Sequence, residues 1–260
     1  MTKMKKAEFG YDEISGRESE EPSGKSRDEN KQLTVVSVLF GDGREYAYLN
    51  DKFDLKTGDN VYVDGKLSGQ LGVVTEVNDK FKVSLKHYKY VIKKADFDIH
   101  GTFKPVGNFY LTADGETVPY DRLLSLLPPF DEEEEFICGK GYTIDLKKLD
   151  EYIESDFDKA ERAVSAAKDG RLKFITVEDG IGHAAFEGRE THIIDFKLNG
   201  DTMSEVYCDC IHADFCAHIL SVAIAVKELM DKTKDDENFT VLNKNLFSRI
   251  EQQTDSYIRI

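Results

Sequence analysis

The sequence predicts an α+β chain: a small β-barrel in the N-terminal half, then a mixed domain of helices and strands. Three observations carry this. Short β-prone runs with turn signals between them crowd into about seventy residues after Leu33, apolar side chains recur at helical spacing over residues 146–168, and further strand candidates begin at Leu172.

A length of 260 residues suits one large domain or two small ones. Residues 1–31 mix 7 basic and 8 acidic groups with Ser and Gly, and their few apolar residues (Phe9, Tyr11, Ile14) keep no period, which predicts a disordered charged tail. Gly24-Lys25-Ser26 looks like the end of a phosphate-binding loop, but the glycine required five residues earlier is Ser19.

Residues 32–105 are expected to form the barrel. Its strand candidates are Thr34 to Phe40, Glu45 to Leu49, Asn60 to Val63, Gly72 to Val77 and Lys80 to Leu85, punctuated by Asp42-Gly43, Asp64-Gly65 and Asn78-Asp79. Residues 106–144 read as a Pro-containing acidic linker, since Pro119 and Pro128-Pro129 interrupt any long helix and Asp131 to Glu135 is an unbroken acidic run. Within it, Arg122 to Leu127 has room for one helical turn. Residues 145–260 form the second domain. One amphipathic helix is expected from Leu146 to Lys168, ending near Gly170, and strands at Leu172 to Val177, His183 to Phe186, His192 to Leu198 and Glu205 to Cys208.

The chain carries 35 basic and 50 acidic side chains, a net charge of −15, and residues 145–260 hold 24 of the acidic groups against 15 basic ones. The longest apolar run, Ile219 to Val226, is far short of the roughly 20 residues that cross a bilayer. The first thirty residues lack the apolar core of a secretory signal, and four cysteines so distributed do not make a disulfide framework, so a reducing cytoplasm is expected.

Cysteine spacing is the sharpest feature. Cys208-Asp209-Cys210, five residues, then Cys216-Ala217-His218 places three thiols and one imidazole in two close pairs that can converge on one tetrahedron, the donor set of a structural Zn²⁺. Four protein ligands leave no open coordination position. His218 opens an apolar helical face of Ile219, Val222, Ala223, Val226, Leu229 and Met230. His212, between the pairs, is a reserve ligand or a loop residue. Cys138 reads as an inert thiol rather than a nucleophile served by His183 or His192, because nothing in the sequence pairs it with a base.

This stretch resembles a SWIM-type zinc finger, Cys-x-Cys then Cys-x-His followed by an apolar helix. Matched position by position, that family's ligands fall on Cys208, Cys210, Cys216 and His218. The resemblance covers roughly sixty residues and implies a binding module detached from an enzyme. More weakly, Leu55-Lys56-Thr57-Gly58-Asp59-Asn60-Val61-Tyr62-Val63 with Gly69-Gln70-Leu71-Gly72-Val73-Val74 resembles SH3-like barrels of the KOW and Tudor kind, which bind nucleic acids or proteins.

Lys80, Lys82, Lys86, His87, Tyr88, Lys89, Tyr90, Lys93 and Lys94 form a basic and aromatic stretch with no acidic residue. It admits two readings: a surface that holds phosphates and stacks bases, or an edge strand guarded by lysines. No hydrolase elbow, metalloprotease helix or dinucleotide signature is present in the sequence. The expectation is therefore a non-enzymatic zinc protein with no small-molecule substrate, meeting nucleic acid through a local basic patch or a basic protein through its acidic half, with an enzyme of unrecognised site as the third alternative. Two separable domains further imply that Cys210→Ser unfolds the second and leaves the barrel folded.

Overall fold

The computed structural model describes residues 33–78, 87–113, 118–129, 141–188, 190–210, 215–232, 238–253 and 258–259. The expected tail at 1–31, Lys80, Lys82, Lys86, the acidic run 131–135, Cys138 and His212 lie outside them.

Alternating apolar residues in five short strands build the barrel. Strands β1 (Thr34–Phe40), β2 (Glu45–Asn50), β3 (Asn60–Val63), β4 (Leu71–Asn78) and β5 (Lys89–Ala95) close in the order β1-β2-β5-β3-β4. Val36, Val38 and Phe40 from β1 meet Tyr48, Val61, Val63, Val74 and Val91 inside. Gly72 is required where β4 crosses β1, because a Cβ there would overlap Val38 and the Phe40 ring.

The rest is organised by an eight-stranded sheet. After a two-residue strand β6 (Gly101–Thr102) come β7 (Lys104–Val106), β8 (Phe109–Ala113), β9 (Tyr142–Asp145), β10 (Leu172–Glu178), β11 (Ile181–Glu187), β12 (Thr191–Asn199), β13 (Thr202–Cys208) and β14 (Phe239–Asn243). The sheet order is β7-β8-β14-β10-β11-β12-β13-β9, and β6 pairs instead with the terminal β15 (Ile258–Arg259). The helices are α1 (Tyr120–Ser125), α2 (Leu149–Ser155), α3 (Phe157–Lys168), α4 (Ala217–Met230) and α5 (Lys244–Gln253). One sheet face carries Ile175, Val177, Ala184 and Ile194 against α3 and α4. The opposite face, with Phe174, Ala185 and Leu242, packs on α1, α5, the barrel's Tyr62 and Ala95, and Phe97 and Ile99 just after β5.

The α+β architecture with an N-terminal barrel is as expected, but two details differ. The described part of the segment 106–144 is not a linker: β8 pairs with β14 along Phe109 to Ala113, and Leu123, Leu126 and Leu127 are buried. Pro105, just before this segment, stands in the outermost strand, and Pro119 just before α1, where a missing N–H costs no internal hydrogen bond. The single helix expected over Leu146–Lys168 is a 3-10 turn (Leu146–Lys148) followed by α2 and α3, broken at Asp156. There the Asp156 side chain accepts the Lys159 N–H at 3.0 Å and caps α3, an arrangement a short carboxylate favours over a helix interior.

The barrel and the sheet share a core. Tyr62 is fully buried at this junction and its hydroxyl donates to the Leu126 carbonyl at 2.9 Å, and burial pushes its pKa up to about 12. Nearby, the Lys93 ammonium donates to the Leu124 carbonyl at 2.8 Å.

Tyr62→Phe should therefore cost about 1 kcal/mol or more, because the Leu126 carbonyl keeps its burial and loses that donor. A lower urea midpoint at unchanged slope would register it. The shared core also revises the separability expected from sequence: amides of β1 and β10 should lose exchange protection in one transition, and Cys210→Ser should weaken both halves. At Asp156, the Lys159 N–H and then the Lys159 ammonium hold the carboxyl below its ordinary range. A carboxyl lowered by folding stabilises above its unfolded pKa, near 3.9, and that contribution is lost as pH falls through the folded value. Acidification below about pH 5 should lower the protection of the Lys159 amide relative to an unstructured peptide at the same pH, and Asp156→Asn should flatten this dependence.

Candidate metal centre

The strand order brings the two cysteine pairs together. Cys208 ends β13 and Cys210 follows two residues on, while Cys216 is the N-cap of α4 and His218 lies in its first turn. One donor atom from each of Cys208, Cys210, Cys216 and His218 lies within 4.8 Å of the others. Cys210 and Cys216 are 9% and 5% exposed, and Cys208 and His218 are half-buried. Three sulfurs and an imidazole so placed are close enough to hold a metal ion.

The sulfurs already interact. Cys216 Sγ accepts the Ile219 N–H at 3.5 Å, and Cys208 Sγ lies 3.7 Å from His218 Nδ1. A hydrogen bond from the Cys208 thiol, aided by His218 and the Ile219 N–H, holds the Cys216 pKa far below its ordinary range. The same bond, with burial, pushes Cys208 up. Anionic sulfur at the start of α4 is also favoured by the unpaired N–H groups there. Helix α4 is buried over Ile219 to Ala223 and again at Ala225, Val226 and Leu229, and Ser221 Oγ donates to the Ala163 carbonyl of α3 at 3.0 Å.

Asp209, between the first two cysteines, ties their turn to β12. Its carboxylate accepts the Ile193 N–H at 2.9 Å, its own N–H donates to the Ile193 carbonyl at 3.2 Å, and its Oδ1 lies 3.0 Å from His192 Nδ1. That carboxylate raises the His192 pKa. The His192 ring lies over His218 with centroids 4.7 Å apart, and Phe186 contacts His218 from 5.0 Å. Phe215 packs between Tyr142 and Tyr152 on the loop that leads into Cys216. Sequence reasoning missed Asp209 and His192 as supports. Only the pairing of β12 with β13, which sets Ile194 opposite Cys208, brings them there.

The basic stretch is placed differently from a continuous patch. Of its described members, Lys94 pairs with Asp59 at 2.8 Å, Lys89 with Asp64 at 3.6 Å, and Lys93 is turned to Leu124. His87 and Lys89 are exposed, Tyr88 is half-buried and Tyr90 is 41% exposed. His183, considered as a base for Cys138, pairs through Nδ1 with Asp195 at 2.7 Å and stacks on Tyr120 with centroids 4.0 Å apart. Among the described residues no helix is long and apolar enough to cross a membrane.

The chain matches no protein-family model, no curated protein and no solved structure.

Asp209→Ala should release the Cys208–Cys210 turn from β12 and weaken metal binding about tenfold while the sheet stays folded, as loss of groups that orient ligands commonly does. Competition of zinc between the protein and a chromophoric chelator measures this.

Proposed function

We propose that Cys208, Cys210, Cys216 and His218 hold one Zn²⁺ as a structural ion, and that the chain is a non-enzymatic interaction module. The observation that carries this is the convergence of the four donors within 4.8 Å. Soft thiolates with one imidazole suit zinc, and a complete protein ligand set leaves no position for a substrate or reactive water. The resemblance of these positions to a SWIM-type finger supports the same reading. In it the ion joins β13 to the buried helix α4, so metal binding contributes folding free energy.

The partner in this reading is nucleic acid within a nucleic-acid-processing assembly of the cytoplasm. The exposed His87, Lys89 and Tyr90 support it, continuous in sequence with Lys80, Lys82 and Lys86. Lys89 pairs with Asp64 at the exposed surface, and Lys93 and Lys94 are engaged within the chain and contribute less. A second reading has its own support: the acidic half offers Asp150, Glu151, Glu154, Asp158 and Glu161, all exposed, around Phe157 at 73% exposure, a surface that suits a basic protein.

Elemental mass spectrometry of the purified chain should find one zinc per molecule, and none in Cys216→Ala. Absence of zinc from carefully prepared folded protein sinks the metal reading. Binding to DNA or RNA should weaken with salt and disappear when Lys82, Lys86 and Lys89 are all changed to Glu, each lysine carrying about one unit of salt slope. Retention of a basic protein partner by that triple variant, with no nucleic-acid binding by either form, favours the second reading.

A further inference from the structure

A cavity of about 200 Å³ lies between α3, α4 and the turn joining β7 to β8. It is separate from the metal centre: its α4 wall begins at Ile224, six residues beyond His218, or about 9 Å along the helix. Val106 and Phe109 come from the hairpin, Val164 and Ala167 from α3, and Ile224 and Leu229 from α4. The space is left by small side chains. Ala167 and Ala225 stand where the helices face it, and Gly107 has φ +58 with nothing within 4 Å of the place a Cβ would occupy.

The cavity opens to solvent, and Val106, Val164, Ala167 and Ile224 in its lining are half-buried, so an apolar group seated there removes their remaining surface from water. An apolar cavity of roughly 150 Å³ is already large enough to take up benzene. Three exposed charged residues also line it: Lys168 at the end of α3, Lys232 just past α4, and Glu228 on α4. Among the described residues neither lysine is in an ion pair. Such cations are scarce in a half of the chain with 15 basic against 24 acidic groups.

We propose that this cavity binds a small amphipathic carboxylate. Its apolar tail lies among Val164, Ile224 and Leu229, and its carboxylate lies between the Lys168 and Lys232 ammoniums. Glu228 opposes the anion and limits the affinity. A short unbranched or singly branched acyl chain, or a phenyl-bearing acid, matches the volume. The site uses neither the metal donors nor the basic stretch of the barrel, so it stands or falls independently of the function proposed above.

Hexanoate titrated into the full-length protein should give one saturable site per chain below about 10 mM, with methyl NMR shifts confined to Val164, Ala167, Ile224 and Leu229. Hexanol, equal in tail and uncharged, should bind roughly fivefold more weakly, and hexylamine more weakly still. Glu228→Gln should tighten hexanoate binding, and Lys168→Glu with Lys232→Glu should reduce it below the hexanol level. Ala167→Leu should abolish binding of all three probes by filling the space. Because the two lysines are exposed, their variants keep the test valid if the leucine does not fit. No saturable binding, equal affinity for hexanol, or unchanged affinity in the double lysine variant overturns the proposal.

Discussion

Burial of one β-sheet on both faces is the constraint from which the rest of this structure follows. Eight strands stand side by side, and the central ones, β10, β11 and β14, are apolar on both sides. A sheet of this kind must be covered twice. Helices α3 and α4 cover one face, while α1, α5 and the barrel cover the other. The barrel is thus part of the sheet's covering layer, which gives Tyr62 its burial and its bond to Leu126.

The cluster of Cys208, Cys210, Cys216 and His218 sits at one margin of the first layer. β13 is the second strand from the sheet edge, and its end delivers Cys208 and Cys210 to the start of α4. There the Asp209 backbone N–H still reaches the Ile193 carbonyl and its carboxylate accepts the Ile193 N–H, so the turn is held to β12 while its neighbours face Cys216 and His218. Three sulfurs at this distance cannot all ionise in a partly buried site without a counter-charge. The opposite displacements of Cys208 and Cys216, set by the hydrogen bond between them, express that conflict, and a divalent cation bound there would remove it.

The opposite end of α4 has a different character. Near its start the helix is bonded to α3 through Ser221, and the alanines of α3 allow close approach. Toward its end, Ala167, Ala225 and Gly107 leave the space between helices and hairpin unfilled. The same small residues that permit tight packing at one level leave a cavity at another.

Local pattern determined much of this protein before any tertiary contact was considered. Alternation and turn residues placed β1 to β4 and β10 to β13 within a few residues, because those signals are carried by neighbours in sequence. The four metal donors were legible for the same reason, since ligand spacing is itself local. The break at Asp156, which caps a new helix through Lys159 three residues on, is local too but is masked by the continuous helical periodicity. Tertiary structure decided what locality cannot: that Phe109 to Ala113 becomes a strand through pairing with β14, and that Lys93 and Lys94 turn to in-chain acceptors. Asp209 and His192 belong to the metal centre only by strand register, and the cavity beside α4 only by helix packing. Each depends on residues far apart in the chain meeting in space, which composition and periodicity do not encode.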